Sequence, residues 1–553
     1  MNYKTPGVYV EEHEKFPPSV AQVETAIPAF IGYTEEGELN KPTRISSMLE
    51  YENLFGKANP ETFAVAFKDG VATATQPKVS DFKMYYAMQM YFANGGGPCY
   101  IISVGNYSEV KVDELQAGLK LLRKEDEPTL IVFPDLQGLV ATDAEVYNAS
   151  VAKIDAEKAF DAAALAETAA ETAAGQAAAH LTQAEQDDKA AQAASDADPG
   201  DAALAAAAVA AAAALVAAKK ASDAAEQALS DATADKFTLS AIKYDAAGNF
   251  NKVEFANSDL SITKAYSLYN DALRQAEALK DRFVIMDVLG NDVIFRREVG
   301  TEGLNYGAAY HPKLKTALTY DFSDSGISVT GVSGVTTLEA LKFKNSELYN
   351  QAKKAIEAEA VVLSPSSAIA GVYATVDNTS GVFKAPANIG LNYVVAPVSK
   401  ISNKEQDDLN VDTSTGKSIN AIRAFAGKGT LVWGARTLDG NSNEWRYISV
   451  RRFFSMVEES VKKATERFVF EPNTANTWIR VQTMIENFLN QQWQDGALAG
   501  SKPEEAYYVS VGLNKTMSAQ DILEGRMNIE IGMAAVRPAE FIVLRFSHKL
   551  QEA

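Results

Sequence analysis

The residues best suited to chemistry in this chain do not come together as any known reactive set. His13, His180, His311 and His548 are the only histidines in 553 residues, and neither another histidine nor Cys99, the single cysteine, stands at a ligand spacing from any of them. A zinc site needs three or four such ligands at short intervals, so no metal is expected. The hexapeptide TSTGKS at 413–418 ends as a phosphate-binding loop does, but the position that must be glycine is Val411. Without that glycine the backbone cannot close around an anion. Gly427-Lys428-Gly429 runs into TLVWG and lacks the third glycine of a dinucleotide loop. Ser364 and Ser366, in LSPSS, have no nucleophile elbow around them. Glu458 and Glu459 are neighbours on a predicted helix and therefore face different directions. The sequence thus predicts no catalytic, cofactor-binding or metal-binding residues, and no enzyme.

Composition narrows the alternatives. The chain carries 52 Lys plus Arg against 72 Asp plus Glu, a net charge of −20, and is 47% hydrophobic. That apolar share supports a core, while the acidic balance argues against a nucleic-acid partner. One cysteine cannot close an internal disulfide. The charge is concentrated: residues 141–260 hold 20 acids and 8 bases, whereas residues 421–553 hold 15 acids and 16 bases. No signal peptide is read at the N-terminus, where Glu11, Glu12 and Glu14 occupy the place of an apolar core. The uncharged run AALAAAAVAAAAALVAA at 202–218 is too short and too poor in large apolar residues for a membrane span, so no direct membrane insertion is expected.

The elements that would position any site alternate between strand and helix. IPAFIGY (27–33), YIISV (100–104), TLIVF (129–133) and FVIMDV (283–288) read as buried strands, with helices over 82–92 and 262–279 and a capped helix start at Ser46-Ser47. This predicts an α/β layer with a largely parallel sheet. Residues 151–234 interrupt it. Nearly half are alanine, the strongest helix former, and the segment's one Pro-Gly, Pro199-Gly200, lies near its middle. Two long helices turning at DADPGD (196–201) are expected, projecting from the body because large apolar side chains are sparse. No sustained heptad is legible in them. After 361, short strands and turns are read up to Trp433, then helices over 450–467 and 477–493 and strands at 507–512, 527–534 and 540–546. The fold class is α/β and α+β, multidomain. The expected divisions are an arm (1–25), an outer α/β domain in two parts (26–140 and 261–365), the Ala-rich helical hairpin insertion (141–260) and a mixed-sheet C-terminal assembly domain (366–553).

An ordered series of segments then carries a family resemblance: TPGVYVEE (5–12), AIPAFIGYTEEG (26–37), RFVIMDV (282–288), NYGAAYHPKL (305–314), LSPSSAIAGVYATVDNTSGVFKAPAN (363–388), GKGTLVWGARTL (427–438), EWRYISVRRFFSMVEESV (444–461), VFEPN (469–473) and VRPAEFIVLRF (536–546). Each is weak alone. In this order the chain resembles the tail sheath family of contractile phage tails and contractile injection systems, over all but the Ala-rich insertion.

The resemblance implies a structural subunit without cofactors. Such a subunit stacks on copies of itself as a six-fold helical homopolymer around an inner tube, extended and metastable until a baseplate triggers contraction. Contraction then drives the tube through a target membrane. Implied partners are other copies, the inner tube protein, and baseplate and terminator or cap proteins. The implied location is the bacterial cytoplasm during assembly, then a phage tail or phage-tail-like particle. The family's subunits are knitted by exchanged strands, for which the candidates here are Val8, Tyr9, Val10 and Glu11 in the N-terminal arm and Phe541, Ile542, Val543 and Leu544 in the C-terminal arm. By similarity, the helix at 477–493 is the candidate tube-facing element, and Arg451, Arg452, Lys462, Lys463, Trp478, Arg480 and Trp493 are tube-facing or assembly candidates. The alternative reading is a non-contractile tail terminator or baseplate-associated protein of sheath-like fold.

Overall fold

The computed structural model describes residues 20–544, apart from 69, 142, 301 and 333. Its centre is a nine-stranded sheet in the spatial order Ile389–Gly390, Gly429–Val432, Ile419–Phe425, Gly307–His311, Phe283–Asp287, Leu130–Val132, Pro28–Tyr33, Cys99–Gly105, Thr43–Ile45. The six inner strands, from Ile419–Phe425 to Cys99–Gly105, run parallel, and antiparallel strands close both ends. Because side chains alternate across a strand, each apolar run feeds two cores at once. Phe30, Ile101, Leu130, Val132 and Ile285 point to one face, while Ile31, Ile102, Ile131, Val284 and Met286 point to the other. Helices Met84–Ala93 and Ser366–Ser380 cover the first face; Val112–Leu122 and Asp259–Leu279 cover the second.

The helix Ser366–Ser380 departs from the sequence expectation, which read turns and short strands there. Ten of its residues, including Ile369, Val372 and Tyr373, are buried. A helix buried on all sides has no amphipathic period to detect. Its start is also capped from elsewhere in the chain: the Asp287 carboxylate accepts from Ser366 N–H (2.9 Å) and Oγ–H (2.6 Å). Asp135 serves Met84–Ala93 in the same way, accepting from the backbone of Lys83 (2.5 Å) and Met84 (3.0 Å). Gly371 lets these two helices meet, since a Cβ there would lie 2.6 Å from the Tyr91 carbonyl oxygen.

The boundary expected at 366 does not divide the fold. Ile419–Phe425 lies inside the central sheet, in parallel register with Gly307–His311. A separate core begins only with the helix Ile448–Thr465, whose Phe453, Met456 and Val457 pack with Val481, Ile485 and Leu489 of the helix Ala475–Gln494.

The Ala-rich insertion forms two antiparallel helices, Asp143–Ala197 and Ala202–Ala256, each 55 residues and about 80 Å long. They extend past the Ala-rich stretch 151–234 on both sides and lie within the expected insertion 141–260. Buried or half-buried positions on the second helix recur at 204, 208, 211, 215, 218, 222, 225, 229, 232 and onward, alternating steps of four and three. A heptad is therefore present, contrary to the sequence expectation, and it faces inward. Alanine fills the outer positions as well as the seam, so no apolar contrast betrays it. Three layers fix the register: Lys153 lies 4.8 Å from the Phe250 ring, Lys243 4.3 Å from the Phe160 ring, and Lys236 pairs with Glu167. Each layer is seven residues from the next on both helices. The hairpin's two ends are adjacent, with Ala141 N–H donating to Ala256 O at 3.3 Å.

Candidate assembly interface

The C-terminal unit combines two amphipathic helices and a two-stranded ribbon. Helix Ala475–Gln494 buries Val481, Met484, Ile485, Phe488 and Leu489 at helical spacing, and the ribbon lies against it through Val509. Strands Tyr507–Val511 and Ile529–Met533 pair antiparallel from Tyr507↔Met533 to Val511↔Ile529. Among the described residues neither strand has a second partner strand, so both outer edges are open. A lone ribbon of this kind is marginal in water, and open edges accept an added strand.

The chain leaves the ribbon through backbone bonds from Ala499 N to Ala534 O (2.7 Å) and Val536 N to Ala497 O (3.1 Å). It then returns to the body, where Glu540 enters a socket. Arg436 donates through Nε to Glu540 Oε1 at 2.9 Å and through Nη2 to Oε2 at 2.6 Å, and Asn410 Nδ2 donates to Oε1 at 2.7 Å. The surrounding chain desolvates the Glu540 carboxyl, yet the bonds from Arg436 and Asn410 hold it below the usual range. Beyond the socket, Phe541, Ile542, Val543 and Leu544 are 72–80% exposed and pair with no strand. The strand texture expected at 540–546 is thus without a ladder over 540–544, and residues 545 and 546 lie outside the described residues. So do Val8, Tyr9, Val10 and Glu11.

At the other terminus, residues 20–25 cross from the small unit to the body. Val20 joins the C-terminal core, Val23 N donates to Ser460 Oγ (3.1 Å), and Thr25 Oγ1 donates to Asp377 Oδ2 (2.6 Å).

Arg451 and Arg452 are expected either to face a tube or to pair internally with Glu458, Glu459 and Glu466, and in this chain both are paired internally. Both are buried, 3% and 5% exposed. Arg451 stacks 4.3 Å from the Trp445 ring and pairs with Glu458 at 3.0 Å. Arg452 pairs with Asp377 at 2.5 Å, donates to Thr25 O at 2.8 Å and lies 4.5 Å from the Tyr373 ring. Arg452 thereby binds the C-terminal helix to the body's buried helix, while Arg451 is held by Glu458 of its own helix and by the Trp445 and Tyr306 rings. Helix position alone could not reveal the Arg452 contact, since the body supplies its partners. Lys462 pairs with Glu459 (3.0 Å), and Lys463 reaches the body's Asp126 (2.8 Å), holding that carboxyl below its ordinary range. On the second helix, Trp478 donates to Asn473 Oδ1 (2.6 Å), Arg480 pairs with Glu471 (2.9 Å) and Trp493 donates to Gly500 O (3.0 Å). These three side chains are only partly covered and remain at the surface of the unit.

Sequence reasoning also missed Phe470. It sits between the two helices with φ +69° and its side chain wholly exposed, beside Val469 at 60%. A non-glycine residue in the left-handed region costs energy, which makes this apolar tip notable. Its only sequence signal was membership of the VFEPN segment.

Four of the residues considered for chemistry, Lys417, Ser364, Ser366 and Cys99, serve as packing and capping, while His13 and His548 lie outside the described residues. Lys417 of TSTGKS is buried and donates to the carbonyls of Arg296 (2.6 Å) and Val299. Ser364 bonds to Gln137, Ser366 caps against Asp287, and burial pushes the Cys99 thiol up.

Residues 441–549 match the profile of the phage tail sheath C-terminal domain. Among solved structures, the chain is similar to one in the six-fold symmetrised baseplate of the anti-feeding prophage (27% identity, TM-score 0.56, covering 99% of this chain and 100% of that one). It is also similar to the helical sheath of the anti-feeding prophage in its contracted state (26%, TM-score 0.55, 99% and 100%). At the level of fold it resembles the contracted sheath complex of the extracellular contractile injection system PVC (24%, TM-score 0.54, 99% and 99%). No curated protein matches the chain. The resemblance carried by the ordered motifs is thereby shown: the chain matches the phage tail sheath C-terminal domain over 441–549 and shares the fold of contractile-system sheath proteins along nearly its whole length.

Proposed function

We propose that this chain is the structural subunit of a contractile sheath. It polymerises with copies of itself around an inner tube in an extended, metastable state and contracts to drive the tube through a target membrane. The observation that carries this reading is the open-edged ribbon in the same chain as the exposed segment Phe541–Leu544. Strand addition between copies would satisfy both, with main-chain hydrogen bonds supplying affinity and register. A heterologous contact of this type does not close on a pair, so it builds rings or, where the rotation does not close, a helical polymer. The energy for contraction is then stored in assembly, and no nucleotide is required. Tube contact falls to the helix carrying Trp478, Arg480 and Trp493 and to the Phe470 tip. Many individually weak surface contacts there would hold the sheath and release together. The particle is assembled in the bacterial cytoplasm and works as a phage tail or injection device, with tube, baseplate and cap proteins as partners.

A second reading, a baseplate-associated subunit or terminator, has one observation in its favour: a similar solved chain belongs to a baseplate. Electron microscopy of the purified full-length chain separates the two. Striated tubes, lost on truncation after Glu540, support the sheath; discrete rings of unaltered size in both proteins overturn it in favour of the second reading.

A further inference from the structure

Once the tail has left the ribbon, the ribbon no longer holds it. Residues 534–536 still bond to the C-terminal unit, but Glu540 is caught by the large body. The catching residue is itself fixed to the central sheet. Arg436 is 3% exposed, its backbone N–H donates to Asn420 Oδ1 (2.8 Å), and Asn420 Nδ2 returns a bond to Arg436 O (2.8 Å). Asn420 lies on the strand Ile419–Phe425 and also donates to Ala309 O on the adjacent strand (3.1 Å). The remaining guanidinium nitrogen, Nη1, is spent on the carbonyls of Asn410 (3.2 Å) and Gly440 (3.3 Å). Tyr447 OH approaches Glu540 Oε2 at 3.4 Å. A buried, forked arginine with bonds from all three guanidinium nitrogens is a rigid seat for one carboxylate. Immediately after that carboxylate come four apolar residues, each 72–80% exposed.

We propose that Arg436 moors the C-terminal arm: through Glu540 it fixes the arm's exit point to the nine-stranded sheet, so that a second copy engaging Phe541–Leu544 pulls on the body and not on the small C-terminal unit. This rests on the reading that the arm joins a neighbouring copy. The load path runs from the arm to Glu540, to Arg436, to Asn420 and into the parallel strands. The ribbon and its two helices lie beside this path, free to receive another copy's strand without carrying the tension of their own. Arg436 and Glu540 are positioning residues in this scheme, and Phe541–Leu544 make the contact.

The test is made first on the unassembled full-length chain, where no neighbour takes part. Chymotrypsin cleaves after Phe541 only when the flanking residues leave the socket. Glu540→Gln removes the charge-assisted pair and should accelerate that cleavage about ten- to a hundredfold. Arg436→Met should do the same, and the double variant should be no faster than the quicker single one, because both remove one interaction. Should Arg436→Met fail to fold, Glu540→Gln still decides, since Glu540 belongs to none of the hydrophobic cores and its substitution leaves every core residue in place. Cleavage of Glu540→Gln at the wild-type rate overturns the mooring, as do single effects that multiply in the double variant. In assembled material, Glu540→Gln tubes should release subunits at lower urea than wild type; equal resistance also overturns it. Failure of the arm reading looks different: truncation after Glu540 then leaves assembly intact while the cleavage results stand.

Discussion

In the body, the strand Phe283–Asp287 is held by chain that arrives from 130 on one side and 307 on the other, and its side chains feed two cores. In the hairpin, every layer joins two helices that follow one another directly, and most seam positions are alanine. The body gains its stability from large apolar side chains at near-zero exposure, whereas the hairpin gains helix propensity and close approach and little burial per residue. One region is therefore cooperative over long sequence distances, and the other is local and able to fray by itself. Damage should spread differently through the two.

The largest contrast is expected from Phe30→Ala. Phe30 is fully buried on a central strand, its ring 5.0 Å from that of Tyr91, and its truncation should cost about 3–5 kcal/mol. In urea titration followed by tryptophan fluorescence the main transition should move to lower urea; an unmoved midpoint would deny the body its cooperativity.

Next comes a pH effect confined to the body. Burial pushes the Asp287 carboxyl up to about 7 from an ordinary 3.8, with the Ser366 bonds acting against the shift. The folded chain binds that proton more tightly than the unfolded chain does. The contribution therefore favours the fold at acidic pH and is lost as pH rises from about 4 to about 7. Asp287→Asn cannot titrate, so its stability relative to wild type should climb across that window by on the order of 3 kcal/mol. Melting temperatures of the two proteins at pH 4.5 and 7.5 check this, and a constant gap between them would remove Asp287 from the pH response.

The smallest effect is expected in the hairpin. Lys243→Ala removes one cation–π layer, about 0.5–1 kcal/mol, and should speed amide exchange near 160 and 243 while leaving the body's exchange untouched. A change that reached the central sheet would erase the distinction between the two regions.

The same contrast explains what was legible in the sequence. Strands such as FVIMDV and YIISV announced themselves because short apolar runs bounded by turns have few other homes. The turn at DADPGD and both C-terminal helices were likewise readable from local pattern. Ser366–Ser380 was not, because a wholly buried helix is apolar all round and its cap, Asp287, is distant in sequence. The heptad of the hairpin was hidden for the opposite reason, alanine being equally common inside and out. In the candidate interface, the tail segment FIVL was legible as an apolar stretch. Its anchor was not, since nothing near Arg436 in sequence shows that Glu540 is its partner. Arg452 looked like surface charge because its partners, Asp377 and Tyr373, come from a helix that only the fold brings near, whereas Arg451 is covered by neighbours in sequence, Trp445 and Glu458.

The adjacency of Ala141 and Ala256 at the base of the hairpin has a geometric consequence. Because the two helices leave and re-enter at one spot, removing seven residues from each at matched positions restores the same layers in the same register. Each such step shortens the rod by about 10 Å and alters no strand of the body. Its reach is adjustable in whole heptads, like a ruler whose graduations are already marked by Lys153, Phe160 and Glu167.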